Sequence, residues 1–486
     1  MYSTGSSLPR VIQGGMGVAI SSWPLAKAVA ATGQMGVVSG TALEIVCARR
    51  LQQGDPGGHI RGALAHFPIP GVAERILHTY YVPGGKSAAA PYRPVLRFTL
   101  RPALALQELT VAANFVEVFL AKENSDGPIG VNYLRKIEFP IPFACYGAML
   151  AGVDHILVGA GNPADLPILL DHLTNHEPVA LPVRVQGATS ADGDFAIHFD
   201  PQSLWPGTQR PTLTRPHLDA IVASVDLAAA LANNSATRPD GFVVEGPPAG
   251  GHNAPPRGPR HLDQHGQPVY GDADLVAPRQ LAGLGMPFWM AGGYGHPTRL
   301  ADAVRDGATG VQVGTAFALC RESGMAEQHK RRILDQVAAG QVRVRTDPRV
   351  SPTGFPFKVV ELDGTLSDDQ VYADRPRICD LGALRSAYRT AEGTIAYRCP
   401  AEPTAVYERH GGRTANTIER RCLCNALLAT PGLAQSRPGG YLEPAIVTAG
   451  TDFTAVRHLL SHLSPGQLTY TARDVITYLL GDQPSQ

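Results

Sequence analysis

Short apolar runs, most of them ended by glycine, alternate over the first two thirds of the chain with longer stretches whose apolar residues recur every three or four positions. That alternation is the mark of repeated βα units and a parallel sheet. Strands are expected at 10–15, 35–40, 129–134, 155–159, 180–187, 241–246, 287–292 and 310–317, and eight such strands fit a closed barrel. Helices are expected at 23–31, 43–53, 141–151, 164–172, 217–233, 297–306 and 326–339, with Gly33 and Gly307 placed where a helix needs a left-handed stop. Two segments interrupt the rhythm: 54–101, rich in Pro and Gly with one short helical pattern, and 189–216, with a hairpin candidate at 195–199. Insertions of this kind are expected over the C-terminal mouth of the barrel, where they shape the site. The rhythm fails after about residue 345, so 1–345 reads as the barrel and 346–486 as a smaller C-terminal α+β domain or cap.

Charge and composition narrow the classes. The 486 residues carry 42 basic and 42 acidic side chains, and a chain without a basic surplus is not expected to take nucleic acid as its main partner. The apolar run near 220–232 is broken by Asp226, and the polar start of the chain lacks a signal-like segment, so a cytoplasmic protein without membrane spans is expected. With 52 glycines and 41 prolines, low complexity is the alternative to test. The glycines instead collect where barrel strands end: Gly14, Gly15 and Gly17, then Gly246, Gly250 and Gly251, then Gly292 and Gly293, then Gly314. Bare backbone amides approach a phosphate closely, and the loops after the seventh and eighth strands are the usual phosphate cradle of such barrels. A phosphate-bearing cofactor is the expectation; ordinary turns are the alternative. Neither Gly15-x-Gly17 nor Gly293-x-Gly295 completes a G-x-G-x-x-G fingerprint, and Gly85-Lys86-Ser87 imitates a P-loop without its first glycine.

One imidazole stands on a glycine loop after the sixth strand, in Gly246-Pro247-Pro248-Ala249-Gly250-Gly251-His252. Histidine exchanges a proton near neutral pH, and a Pro-Pro loop limits its wandering, so His252 is the candidate catalytic residue.

Taken in order, these motifs resemble the FMN-dependent nitronate monooxygenases, once called 2-nitropropane dioxygenases, and the related flavin-dependent enoyl-acyl-carrier-protein reductases. The resemblance is carried by Val11-Ile12-Gln13-Gly14-Gly15-Met16-Gly17, Ile129-Gly130-Val131-Asn132, Ala249-Gly250-Gly251-His252, Ala291-Gly292-Gly293 and Gly310-Val311-Gln312-Val313-Gly314-Thr315-Ala316-Phe317, over about 10–323. It implies a TIM (β/α)8 barrel holding FMN at its mouth. Gly14, Gly15 and Met16 would line the isoalloxazine, Asn132 would hydrogen-bond it, and Gln186, at the end of the expected fifth strand, would lie near the ring. Gly250, Gly251, Gly292, Gly293, Gly314 and Thr315 would hold ribityl and phosphate, Gln312 would contact the flavin or its ribityl chain, and His252 would be the catalytic histidine. The activity implied is oxidation of alkyl nitronates by oxygen to a carbonyl compound and nitrite. The alternatives are an NAD(P)H-dependent enoyl-thioester reductase, with an acyl carrier protein as partner, and a non-catalytic flavin-binding partner subunit. A homo-oligomer is compatible with each.

Outside the resemblance, Cys379, Cys399, Cys422 and Cys424 bring four of the seven cysteines into the C-terminal region. Reduced thiols are the favoured reading, with zinc or an iron–sulfur cluster as the alternative. His261 and His265 have a metal-like i, i+4 spacing, but flanking Pro and Gly place them on a loop.

Overall fold

A computed structural model describes residues 8–481 apart from 208, 260 and 465, so the first seven residues of the polar N-terminal stretch lie outside the described residues. Eight parallel strands form one sheet: β1 (Val11–Gln13), β2 (Gly36–Ser39), β3 (Ile129–Leu134), β4 (His155–Gly159), β5 (His217–Val222), β6 (Gly241–Glu245), β7 (Phe288–Ala291) and β8 (Gly310–Val313). Each pairs in parallel with the next, β8 returns to β1, and the ring closes between β1 and the start of β2. There Gln13 N–H donates to Met35 O at 2.9 Å and Met35 N–H donates to Val11 O at 3.1 Å. The Gln13 side chain reinforces this seam: its Oε1 accepts from Val37 N–H at 3.1 Å and its Nε2 donates to Ser21 Oγ at 2.8 Å.

These strands read as continuous apolar runs because both faces are covered. Ile12, Met35, Val37, Leu157, Val243, Trp289 and Ala291 fill the barrel interior, while their neighbours Val11, Phe242, Val244, Phe288 and Met290 face the helical shell. The Trp289 indole, fully buried, donates to Pro9 O at 2.7 Å and so plugs the floor. Most helices match expectation, including Trp23–Ala30, Leu43–Gln52, Ile141–Leu150, Pro297–Arg305 and Glu327–Ala338. Gly33 and Gly307 have φ of +76° and +102°.

The fifth strand is not where the pattern put it. Val179–Pro182 pairs antiparallel with Ala196–Phe199 in a hairpin outside the barrel, and His217–Val222, expected as the start of a helix, is β5. The helix of that unit is shorter, Val225–Ala232, with the Ser224 hydroxyl accepting from Leu227 N–H as its N-cap. Ala180 and Pro182 are exposed where a central barrel strand would bury them. A second element escaped the pattern altogether: Leu104–Lys122, a 19-residue helix. By length and apolarity it could cross a membrane, and it is 78% buried within the structure. Its few charges are paired, Glu108 with Arg75 at 2.6 Å and Glu117 with Arg50 at 2.8 Å.

Neither insertion forms the mouth. Helices His59–Leu64 and Val72–Tyr80, within 54–101, pack against Leu104–Lys122 on the flank. The roof comes from residues beyond 343. A hairpin, Val344–Asp347 with Phe357–Val360, is bonded to the loop after β6, and the last two helices, Thr454–Ser461 and Ala472–Leu480, share the barrel's apolar shell. Tyr470 OH donates to Ala316 O at 2.7 Å, fixing that contact.

Replacing Gln13 by Leu leaves the Val37 amide without its buried partner. It should lower stability by about 1–3 kcal/mol, seen as a lower urea midpoint at constant m; an unchanged midpoint would show that the backbone bonds hold the seam alone.

Candidate active site

The C-terminal ends of the strands open into a cavity of about 420 Å³, within the range of small-molecule and cofactor sites. Twelve of the thirteen residues singled out in the sequence line it: Gly14, Gly15, Met16, Asn132, Gly250, Gly251, His252, Gly292, Gly293, Gln312, Gly314 and Thr315. Gln186 is not among them. Because its segment belongs to the hairpin rather than to the barrel, Gln186 bridges to Tyr388, and its Oε1 accepts from Arg398 at 3.0 Å.

The loop after β1 is fixed by Ser21, whose hydroxyl donates to Gly14 O at 2.8 Å and accepts from Met16 N–H at 2.9 Å. Asn132, near the end of β3, donates to Gly15 O at 3.2 Å, and a Cβ on Gly15 would stand 2.3 Å from the Asn132 Cβ, so this approach requires glycine. After β6 the loop is held from above: Gly251 N–H donates to Thr448 Oγ1 at 2.8 Å and Lys358 N–H donates to Gly251 O at 2.9 Å. Gly292, at φ +85°, lies so close to this loop that a Cβ would sit 2.7 Å from Gly246 O. Gly450 N–H donates to Thr315 Oγ1 at 2.9 Å, so the segment after residue 447 meets the loops after β6 and β8 together. A second cavity, of about 440 Å³, shares Pro248, Gly292, Gly293 and Asp452 with the first and brings in Thr298 and Arg299 from the N-terminal turn of helix Pro297–Arg305.

Three amide oxygens at this mouth, Asn132 Oδ1, Asn253 Oδ1 and Gln312 Oε1, are buried without a hydrogen-bond partner. Each such atom costs about 1–3 kcal/mol unless a donor meets it. The set suits a ligand rich in N–H and O–H groups, as an isoalloxazine imide with a ribityl chain is, and bare glycine amides beside a helix N-terminus suit its phosphate. The residues present therefore fit FMN.

Charge at the mouth comes from residues the sequence reading missed. Lys136, beyond β3, stands over the Phe355 ring with Nζ 3.3 Å from its centroid. Glu245 closes β6 and interacts with both Lys136 and Lys358, while Lys358 Nζ donates to Thr346 Oγ1 at 2.7 Å. Burial raises the Glu245 carboxyl to about 7, against the pull of the two lysines. It lowers Lys136 to about 7 and Lys358 to about 8, each partly offset by Glu245. His252 is pushed down to about 3, first by burial and then by Lys136. Its Nε2 is 2.6 Å from Ser351 Oγ and its ring meets Phe357 edge-on. A neutral imidazole so held positions hydrogen bonds rather than storing a proton. Lys136 and Glu245 were findable, since both stand at strand ends beside flagged residues; nothing in the sequence marked Lys358, which acts on Glu245, or Leu384, Leu423 and Leu427, which reach the cavity from far along the chain.

The fold and site define a closed parallel α/β barrel with a cofactor-sized cavity at its C-terminal mouth. Residues 214–348 match the family model of nitronate monooxygenase, the stretch that holds β5 to β8 and the loops after them. A probable nitronate monooxygenase of Bacillus subtilis (strain 168) is 36% identical over 96 residues, 20% of this chain and 26% of that protein; the match thus spans about a quarter of the relative's length. Among solved structures, FabK from Thermotoga maritima matches at 16% identity and TM-score 0.40, over 75% of each chain. Nitroalkane oxidase from Streptomyces ansochromogenes matches at 14% and 0.40, over 72% of this chain and 76% of that one. The enoyl reductase domain of MlnA from Bacillus amyloliquefaciens matches at 12% and 0.47, over 98% and 94%.

Because the folded state excludes the imidazolium form, the His252 ring signals in an NMR titration should stay those of a neutral imidazole from pH 7 down to about pH 4. A midpoint near 6.5 would contradict the buried, lysine-flanked setting.

Proposed function

We propose that the chain is an FMN-dependent oxidoreductase of the nitronate monooxygenase type, converting an alkyl nitronate and oxygen to a carbonyl compound and nitrite. The observation that carries this reading is the meeting of twelve motif residues and three orphaned amide oxygens at one barrel mouth, in a chain whose 214–348 match that family. Asn132, Gln312 and the loop Gly14–Met16 would hold the ring and ribityl chain; Gly292, Gly293, Gly314 and Arg299 would hold the phosphate. Bound flavin supplies the one-electron redox chemistry that no side chain here can.

The chain's own residues set what docks beside it. A nitronate is already deprotonated, so a site whose histidine is held at a low proton affinity, a weak base, suits it better than it suits a nitroalkane that must first lose a proton. The protonated Lys136 ammonium, held over Phe355, would pair with the anionic nitro group. His252, oriented by Ser351, would add a hydrogen bond. Leu384, Leu423 and Leu427 would shelter the alkyl chain and exclude water. The same apolar roof supports a second reading, an enoyl-thioester reductase fed by NAD(P)H.

Anaerobic mixing separates the two: an alkyl nitronate should bleach the flavin absorbance while NADPH leaves it unchanged. Bleaching by NADPH alone would overturn the nitronate reading in favour of the reductase. Lys136→Met should raise the KM for an alkyl nitronate about 10- to 100-fold at pH 6, the loss of a charge-assisted hydrogen bond of roughly 1.5–3 kcal/mol. In the parent protein KM should climb as pH rises through about 7, where Lys136 sheds its proton, and the variant should lack that limb. An unchanged KM would remove Lys136 from anion binding. His252→Ala should lower turnover about 10-fold or more with FMN retained; equal turnover would remove His252 from the reaction.

A further inference from the structure

Four thiols from three chain segments meet beside the cavity roof. Cys399 and Cys422 are buried in one cluster with Ala401, and Cys379 and Cys424 pack against it. The Cys379 and Cys399 thiols are hydrogen-bonded to each other, as are those of Cys422 and Cys424, and each pair acts electrostatically on the other. N–H groups are aimed at the sulfurs: Asn425 Nδ2 donates to Cys422 Sγ at 3.7 Å, and the backbone amides at Ala401, Leu384 and Asn425 address Cys399, Cys424 and Cys422. Cys145, a thiol of the apolar core, has no such donor among the described residues. Amides directed at sulfur favour thiolates, and thiolates gathered in fours favour a metal.

We propose that Cys379, Cys399, Cys422 and Cys424 form a tetrathiolate site for a single zinc ion that staples the roof of the cavity. Sulfurs bonded to zinc at about 2.3 Å stand about one hydrogen-bonded thiol contact apart, whereas the core of a four-iron cluster would hold them farther apart; the metal content separates zinc from a two-iron core. The sulfurs contact one another in pairs rather than ringing a common centre, and no three His, Cys, Asp or Glu side chains among the described residues stand in metal-binding positions. Zinc binding therefore requires the four thiols to turn about χ1 from their paired arrangement into a tetrahedron. Binding forms four Zn–S bonds and releases the four thiol protons to solvent, with no change of oxidation state. The doubly negative centre that results is faced by Arg375 beside Cys422 and Arg385 beside Cys379, against Glu402 and Glu443.

The position gives the ion a task. Cys422 and Cys424 flank Leu423, and the Leu384 amide reaches Cys424, while the side chains of Leu384 and Leu423 line the cavity. Fixing four sulfurs would therefore tie the start of helix Leu423–Ala429 to the irregular segment that carries Leu384.

The test is elemental analysis of the full-length protein, flavin included, purified without added metal. About one zinc per chain should survive dialysis, and growth with cobalt should give a protein with thiolate-to-cobalt charge-transfer absorption and intense tetrahedral bands. The Cys422→Ser, Cys424→Ser double variant should lose the ion while Cys145→Ala keeps it. If the double variant fails to fold, the zinc content and cobalt spectrum of the parent protein decide alone. Substoichiometric metal with all seven cysteines open to alkylation after unfolding would overturn the proposal, as would a disulfide within the four or stoichiometric iron in place of zinc.

Discussion

Between the first and second barrel strands the sheet is joined by two backbone hydrogen bonds at Met35 and by the side chain of Gln13. Every feature of the mouth inherits its position from that closure. Gln13 precedes Gly14 and also holds Ser21, so the same side chain that shuts the ring sets the loop that faces Asn132 across the cavity. An open sheet would leave the β1 loop and the β3 end free to part. The seam is polar and fully buried, so it is strong because each of its donors and acceptors is met inside a low-dielectric interior.

Seven of eight barrel strands were legible in the sequence because parallel strands buried on both faces leave unbroken apolar runs, and twelve of thirteen candidate residues fall on one cavity because glycine marks the strand ends that meet there. The eighth case shows where that logic fails. The segment Val179–Pro182 is as apolar as a barrel strand, yet it pairs with Ala196–Phe199, and His217–Val222 carries polar residues at its start because His155 and Asp219 pair inside the barrel at 2.8 Å. An apolar run specifies burial but not the strand it pairs with. Gln186 was carried out of the site by the same misplacement. Leu104–Lys122 escaped because its face is apolar nearly all round, which erases the periodicity that marks a surface helix.

The roof was illegible for another reason. Leu384, Leu423 and Thr448 reach the cavity, and Lys358 reaches Glu245, through contacts that span the chain, and no local pattern announces such a meeting. These residues bring the mouth its electrostatic character. A carboxyl and two ammonium groups share a dry site in which burial draws their proton affinities together, and the imidazole nearest them is kept neutral. The zero net charge of the chain and the localised charge of the mouth are compatible: in the proposed function an anion would be met by Lys136, by Arg299 and by glycine amides at defined points, without a basic surface.

The central claim is that this mouth holds flavin mononucleotide. Its most direct measurement is the visible spectrum of the purified protein, followed by release of the chromophore on unfolding. A flavin spectrum with about one FMN freed per chain is the expected result. A colourless protein that gains no flavin absorbance when FMN is added and excess removed would contradict the account.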